Sequence, residues 1–306
     1  MTTIWILSGF LACGDKAQDT ETETDTDTVV DDGVTQADFI YVSESAVGNQ
    51  ECFVGGYETM GDWNTQTLID FSEDESFEAV KNVDVSVIDF ETDEPVSEAT
   101  VEVYYADELS GFPDVQGESD AAGALSLDVP VCSPYSYRVF TDPALDETRI
   151  TIEAHTIEAP SVTATEFNSV SKGTYQVIPS LLGVAVDPDK GIVAGTMYDC
   201  NGDKVLGAQV VVKNAAGEIP ESLVVNYFVD DFPNRNQEYT SEDGLWVASN
   251  VPVGEWTIEA YVSAGDGSHI MVGATQIQVF ANSINISNIH LGFGDGLKYP
   301  DDCVTE

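Results

Sequence analysis

The sequence reads as an all-β protein of two tandem antiparallel β-sandwich domains behind a disordered acidic tether. Three observations predict this. Apolar side chains alternate with period two past Ala37, which is the signature of strands with one face buried. One block of strand and turn signals is written twice. Between Asp15 and Thr35 there is almost nothing to bury. The 306 residues suit two domains of about 100–150 residues with a tail. A hydrophobic fraction of 42% is enough to build a core.

Residues 1–14 carry no charged side chain, and Ile4 to Ala12 is a short apolar stretch broken only by Ser8 and Gly9. We read residues 1–12 as a signal peptide. Phe10-Leu11-Ala12-Cys13 resembles a bacterial lipobox, which implies cleavage before Cys13 and lipidation of its thiol. The pattern departs from the usual one at Phe10, at Leu11 and in the missing basic residues after Met1. Residues 13–37 then form the linker, in which Thr20 to Thr28 alternates Thr with acid. Like charges and the lack of apolar side chains make it an extended, solvated spacer. From Asp15 to Ala37 there are eight acids and one base. Removing that −7 from the total of −45 leaves about −38 on the folded part, so the acidity is not confined to the tail.

In the folded part, Ala99, Val101 and Val103 share one face of a strand, as do Trp256, Ile258, Ala260 and Val262. Asp74 to Lys81 is the best short helical candidate. The repeat aligns Val87-Ile88-Asp89 and Pro95 to Val101 with Met197-Tyr198-Asp199 and Val205 to Val210. Downstream, Asp120 to Leu127 aligns with Ser241 to Val247, each followed by Val-Pro. Gly123 and Gly244 fall where a tight turn needs positive φ. The offset grows from Asp89/Asp199 to Gly123/Gly244, so the second copy should hold a longer loop at 213–240. We place the first sandwich at 38–183, with Leu181-Leu182 ending its last strand. The second lies at 190–303, each copy having seven strands.

These residues resemble the carboxypeptidase regulatory-like domain, a transthyretin-like β-sandwich with a carbohydrate-binding-like fold. The second copy, with Gly207-Ala208, fits better than the first, where Glu98 stands at that Gly. The resemblance covers about residues 80–295 and implies a fold rather than a reaction, because the family is not catalytic. Lipobox, acidic spacer and two such repeats together resemble surface lipoproteins of myxobacteria-like bacteria. This implies an exported chain, lipid-anchored to the outer membrane or cell surface.

Apart from Cys13, the cysteines are Cys52, Cys132, Cys200 and Cys303. An even number in an exported chain suggests disulfides, and four cysteines allow three pairings. Cys52 and Cys132 bracket the first copy and Cys200 and Cys303 the second, so closure within each copy is the expectation. Cross-pairing of Cys200 with a first-copy cysteine is the alternative. No zinc knuckle fits these separations.

The charge excludes several classes. Ten Lys and Arg against 55 Asp and Glu oppose binding to nucleic acid or to anionic lipid headgroups. His155-Thr156-Ile157-Glu158 resembles the zinc motif of metallocarboxypeptidases, but three residues apart on a strand the two side chains point oppositely. Acid pairs at Asp187/Asp189, Asp230/Asp231 and Asp301/Asp302 each supply too few oxygens for calcium. No metal or cofactor is expected. Tyr227, Phe228 and Phe232, with Asp230 and Asp231, are the candidate ligand contacts, because rings flanked by acids can stack on sugars. Phe112 stands in the matching loop of the first copy. The function expected is a non-catalytic, lipid-anchored surface module for support or protein interaction. A carbohydrate-binding module using loop 213–240 is the alternative, with a secreted hydrolase behind both.

Overall fold

A computed structural model describes residue 53 and residues 63–305, apart from 106–108, 110, 143, 145–147, 221–222 and 264–267. The tether, Cys13 and Cys52 lie outside the described residues. The fold is all-β. The described strands are joined by one α-helix, and no described helix is long and apolar enough to cross a membrane.

The first copy has two layers. In one, β1 (Val80–Asp89) pairs antiparallel with β4 (Ala124–Pro130) and parallel with β7 (Ala164–Ser171). In the other, the order is β3 (Val115–Glu118), β2 (Ala99–Tyr104), β5 (Tyr135–Thr141) and β6 (Thr148–Thr156). The alternation of β1 puts Val83, Val85 and Val87 inward against Val101, Val103 and Phe167. Each such fully buried side chain contributes about 1.5–3 kcal/mol before conformational entropy is counted. The Tyr137 and Phe167 rings stack 3.9 Å apart. The Tyr137 hydroxyl accepts a 2.9 Å bond from the Asn168 backbone N–H, which bolts one layer to the other.

The second copy also has two layers, but the strands that follow its second strand join the opposite layer. Here β8 (Lys190–Tyr198) pairs with β12 (Leu245–Pro252), which pairs with β10 (Val224–Val229) and so with β11 (Phe232–Asn234). The facing layer is β9 (Gln209–Lys213), β13 (Gly254–Ser263) and β14 (His269–Val279). Two short strands, β15 (Ser283–Ile286) and β16 (Ile289–His290), both run parallel to β8. Among the described residues the first copy has seven strands and the second nine. The expected long loop is largely folded, because β10 and β11 form a hairpin that widens the sheet. Its turn, Asp230-Asp231, has φ of 52° and 63°, the two positive values that a tight two-residue hairpin turn needs.

The repeat seen in the sequence is a repeat of hydrogen bonds. Asp89 and Asp199 each fold a turn by accepting backbone N–H groups two to four residues on. The Gly123 carbonyl accepts from Val87 at 2.8 Å, and the Gly244 carbonyl from Met197 at 3.0 Å. Both glycines have positive φ, and a Cβ would lie 2.7 Å from the Val87 oxygen or 2.8 Å from the Met197 oxygen. Ser119 and Thr240 hydroxyls each accept a 2.9 Å bond from the Ala99 or Ala208 backbone. Glu98 stands at φ 55° where Gly207 has φ 95°, so the departure from Gly in the first copy leaves the backbone conformation left-handed.

The two copies are hydrogen-bonded into one sheet. β15 lies between β8 of the second copy and β6 of the first, parallel to both, and so carries the sheet from one copy into the other. The connection at 183–190 is also held: Asn250 accepts from Asp187 N–H and donates to the Ala185 carbonyl.

Two local expectations are corrected. Lys172–Leu182 is a helix, α1, where a strand was expected to end at Leu181-Leu182. Ser171 caps it by accepting the Thr174 N–H, and Gly183 closes it at φ 74°. Conversely, Asp74 to Lys81 is not helical: tight turns precede β1, and the Phe71 and Phe77 rings stack at 3.8 Å.

Candidate functional site

A cavity lies where the copies meet, and its volume is about 160 Å³. α1 covers one side through Thr174, Tyr175, Ile178 and Pro179, while β8, β12 and β15 supply the other walls. The helix is held over it from both copies. Asp89 and Glu91 of the first copy accept from Ser171 N–H and the Thr174 hydroxyl, and Arg235 of the second donates to the Leu181 carbonyl. The walls are largely apolar, including Ile192, Phe228, Ile284 and Ile286.

One end is polar. Glu153 of β6 lines it and accepts from the Tyr137 hydroxyl, from Asn168 at 3.0 Å and from Asn288 at 3.3 Å. Burial pushes its carboxyl above the ordinary value, against the opposing effect of these donors. Burial and the neighbouring Glu153 likewise push the Tyr137 phenol well up. The Tyr175 hydroxyl and the Trp246 Nε1–H are buried without a hydrogen-bond partner among the described residues; Tyr175 packs in the cluster around the cavity and Trp246 in the core of the second copy.

The residues named as ligand contacts are not brought together. Tyr227 is 5% exposed, its ring is in the second core, and its hydroxyl accepts from Val210 N–H at 2.8 Å. Phe228 is 6% exposed and faces the cavity instead. Phe232 is 70% exposed, as is Phe112 at 95%. Asp230 and Asp231 form the hairpin turn, where the Asp231 N–H is bonded to Asp243. Alternation along β10 sends Tyr227 and Phe228 into separate cores.

His155 and Glu158 are held by different partners. The imidazole N–H of His155 donates to the Gln276 carbonyl of the second copy, while Glu158 accepts from Tyr135 and Thr165. No group of three or more His, Cys, Asp or Glu converges as a metal site among the described residues.

Closure within each copy is corrected as well. Cys303 is bonded to Cys132, with the Cα atoms 5.3 Å apart across 171 residues of chain. Cys200 is also disulfide-bonded. With Cys132 and Cys303 paired to each other, its partner falls outside the described residues. The C-terminal segment is laced to residues 66–69: Tyr299 N–H donates to Gln66, Gln66 donates to Leu297, and Ile69 N–H donates to Cys303. The cavity was missed in the sequence because its walls come from strands far apart in the chain.

No family model matches the chain, and no curated protein does. Among solved structures, 70% of the chain is similar to the Bacillus anthracis TIE protein at 16% identity and TM-score 0.23. The chain spans about a third of that protein's length (34%). It is also similar over 71% of its length to BcpA, the major pilin subunit of Bacillus cereus, at 11% identity and TM-score 0.22, covering 100% of that chain. The shaft pilin SpaA from Lactobacillus rhamnosus GG matches over 69%, at 10% identity and TM-score 0.21, with 98% of that chain covered. Scores near 0.2 define no shared architecture, and no role is carried over from these proteins.

Proposed function

We propose that the chain is a non-catalytic, lipid-anchored module of the cell surface, built from two carboxypeptidase regulatory-like repeats, that holds a binding surface away from a membrane. One observation carries the reading: the repeats form a single body, joined through β15 and closed by Cys132–Cys303. A spacer-borne module that presents a surface gains from such stiffness. The residues that could have carried chemistry, His155, Glu158 and Tyr227, instead tie strands and copies together.

The test is mass spectrometry of the membrane fraction for an acylated Cys13 peptide. Cys13→Ser should release a folded protein, and protease applied to intact cells should remove the module. A soluble chain with unmodified Cys13 removes the anchor from this reading.

A second reading is carbohydrate binding, favoured by the exposure of Phe232 and Phe112. A glycan array probed with residues 38–306 tests it. Binding that survives Phe232→Ala and Phe112→Ala would place the site elsewhere.

A further inference from the structure

Cys200 is disulfide-bonded, and Cys132 and Cys303 are bonded to each other. The remaining cysteines of the sequence are Cys13 and Cys52, so one of these is the partner of Cys200. Phe53 decides between them. It is 3% exposed and lies in the second core, in the cluster that contains Met197 and Val205. Those two residues flank the turn that carries Cys200, and the Val205 N–H donates to the Met197 carbonyl at 3.0 Å to close it. Consecutive Cα atoms are about 3.8 Å apart, so a buried Phe53 delivers Cys52 to this core. Cys13 lies on the far side of the acidic tether.

The residues that follow keep to the same copy. The Trp63 ring packs on Gly294, where a Cβ would lie 3.2 Å from it. Asn64 N–H donates to the Gly292 carbonyl at 2.7 Å, and Thr305 N–H donates to the Thr67 carbonyl at 2.8 Å. Leu68 and Val304 form a bridge between the two segments. The chain is thus laid along the C-terminal segment of the second copy before it enters the first copy at β1.

We infer that Cys52 is bonded to Cys200, and that this bridge clasps the N-terminal segment so that the tether leaves the body from the second copy, at the end of β8. In the bond-forming step two thiols lose two protons and two electrons to the disulfide of an export-compartment oxidoreductase, and the two sulfurs join. Without the bridge, a pull on the tether would peel residues 63–69 from the C-terminal segment one hydrogen bond at a time. With it, the pull enters β8, which is paired on both edges, with β12 and β15. The load-bearing role rests on the anchoring proposed above; the bridge itself does not.

The experiment is a non-reducing acid-protease digest of the full chain, taken from the exporting cell after thiol labelling. Mass spectrometry should find a peptide pair joining Cys52 to Cys200, and no label on Cys52. A Cys13–Cys200 pair or a labelled Cys52 overturns the assignment. Acylation of Cys13 is read from the same digest, so loss of the anchor and loss of the bridge are separate results. Cys52→Ser combined with Cys200→Ser tests the clasp. Amide exchange at Asn64 and Thr305 should quicken about tenfold or more, because a covalent restraint on a local opening is gone. Ile258, in the middle of β13, should keep its protection. Unchanged exchange at Asn64 overturns the clasp, and so does a global loss of protection, because releasing the N-terminal segment alone leaves the sheets standing. The digest needs no variant, so the pairing is tested even if the double variant does not fold.

Discussion

Replacing Cys132 and Cys303 together by Ser removes the longest covalent tie among the described residues without leaving a reactive thiol. The bond closes 171 residues, and Cys303 is fully buried. In the chain-entropy model a loop of that length stabilises the folded state by about 5 kcal/mol, an upper figure because residual structure in the unfolded chain reduces it. For a protein of this size, roughly 2–4 °C of Tm accompanies each kcal/mol, so the double variant should melt about 10–20 °C lower. Calorimetry measures the loss, and amide exchange locates it. Protection should fall first at Leu297 to Thr305 and at the segment laced to it near Gln66 to Ile69. A Tm loss under about 3 °C would refute the reasoning. So would unaltered protection of the tail, which would mean that the backbone bonds to residues 66–69 hold it unaided. Non-reducing peptide maps of the parent chain should contain a Cys132–Cys303 peptide.

Three further outcomes follow from the backbone and the buried carboxyl. Glu98→Gly should stabilise by roughly 0.5–1 kcal/mol, because Glu98 holds φ 55° and a side chain in the left-handed region is strained; chemical denaturation measures this, and Gly207→Glu should show the opposite sign. Gly244→Ala should cost about 1–3 kcal/mol, since φ is +66° and the new Cβ would sit 2.8 Å from the Met197 carbonyl oxygen; an unchanged denaturation midpoint would contradict the contact. Stability should rise as pH falls from neutrality towards about 4.5. The folded state binds the Glu153 proton more tightly than the unfolded chain does, so that group's contribution is full below the unfolded value and lost as pH rises through the folded one. Below about 3.8 the trend should reverse. Hydrogen bonds to Asp70, Asp74 and Asp120 lower their carboxyls, so their contribution is lost as pH falls through the folded values. Glu153→Gln should flatten the neutral-to-mildly-acid limb in a Tm-against-pH series, separating it from the general relief of negative charge.

The parts of the fold legible in the sequence are those fixed by neighbours along the chain. The Asp89 and Asp199 turns, and the Gly123 and Gly244 turns, reveal themselves because a side-chain cap or a positive φ demands a particular residue type locally. α1 was hidden: Gly173 and Pro179 are poor helix signals, and the helix is fixed from outside by Asp89, Glu91 and Arg235. The place of Ser283–Ile286 between the copies, and the partner of Cys303, are set by pairing across more than a hundred residues, and no local pattern encodes that. Of the candidate site, only Phe228 was named from sequence. Its neighbour Tyr175 read as an ordinary core aromatic.

The position of β15 has a consequence for how the chain reaches this structure. Strand β6 is complete by residue 156 and β8 by residue 198, yet the segment that covers the facing edges of both is Ser283–Ile286. As the polypeptide emerges, those two edges stay open until nearly the whole chain has been delivered. Open edges recruit other strands, and pairing across so long a separation is slow. A chain stalled or cut before residue 283 carries two adhesive edges into solution.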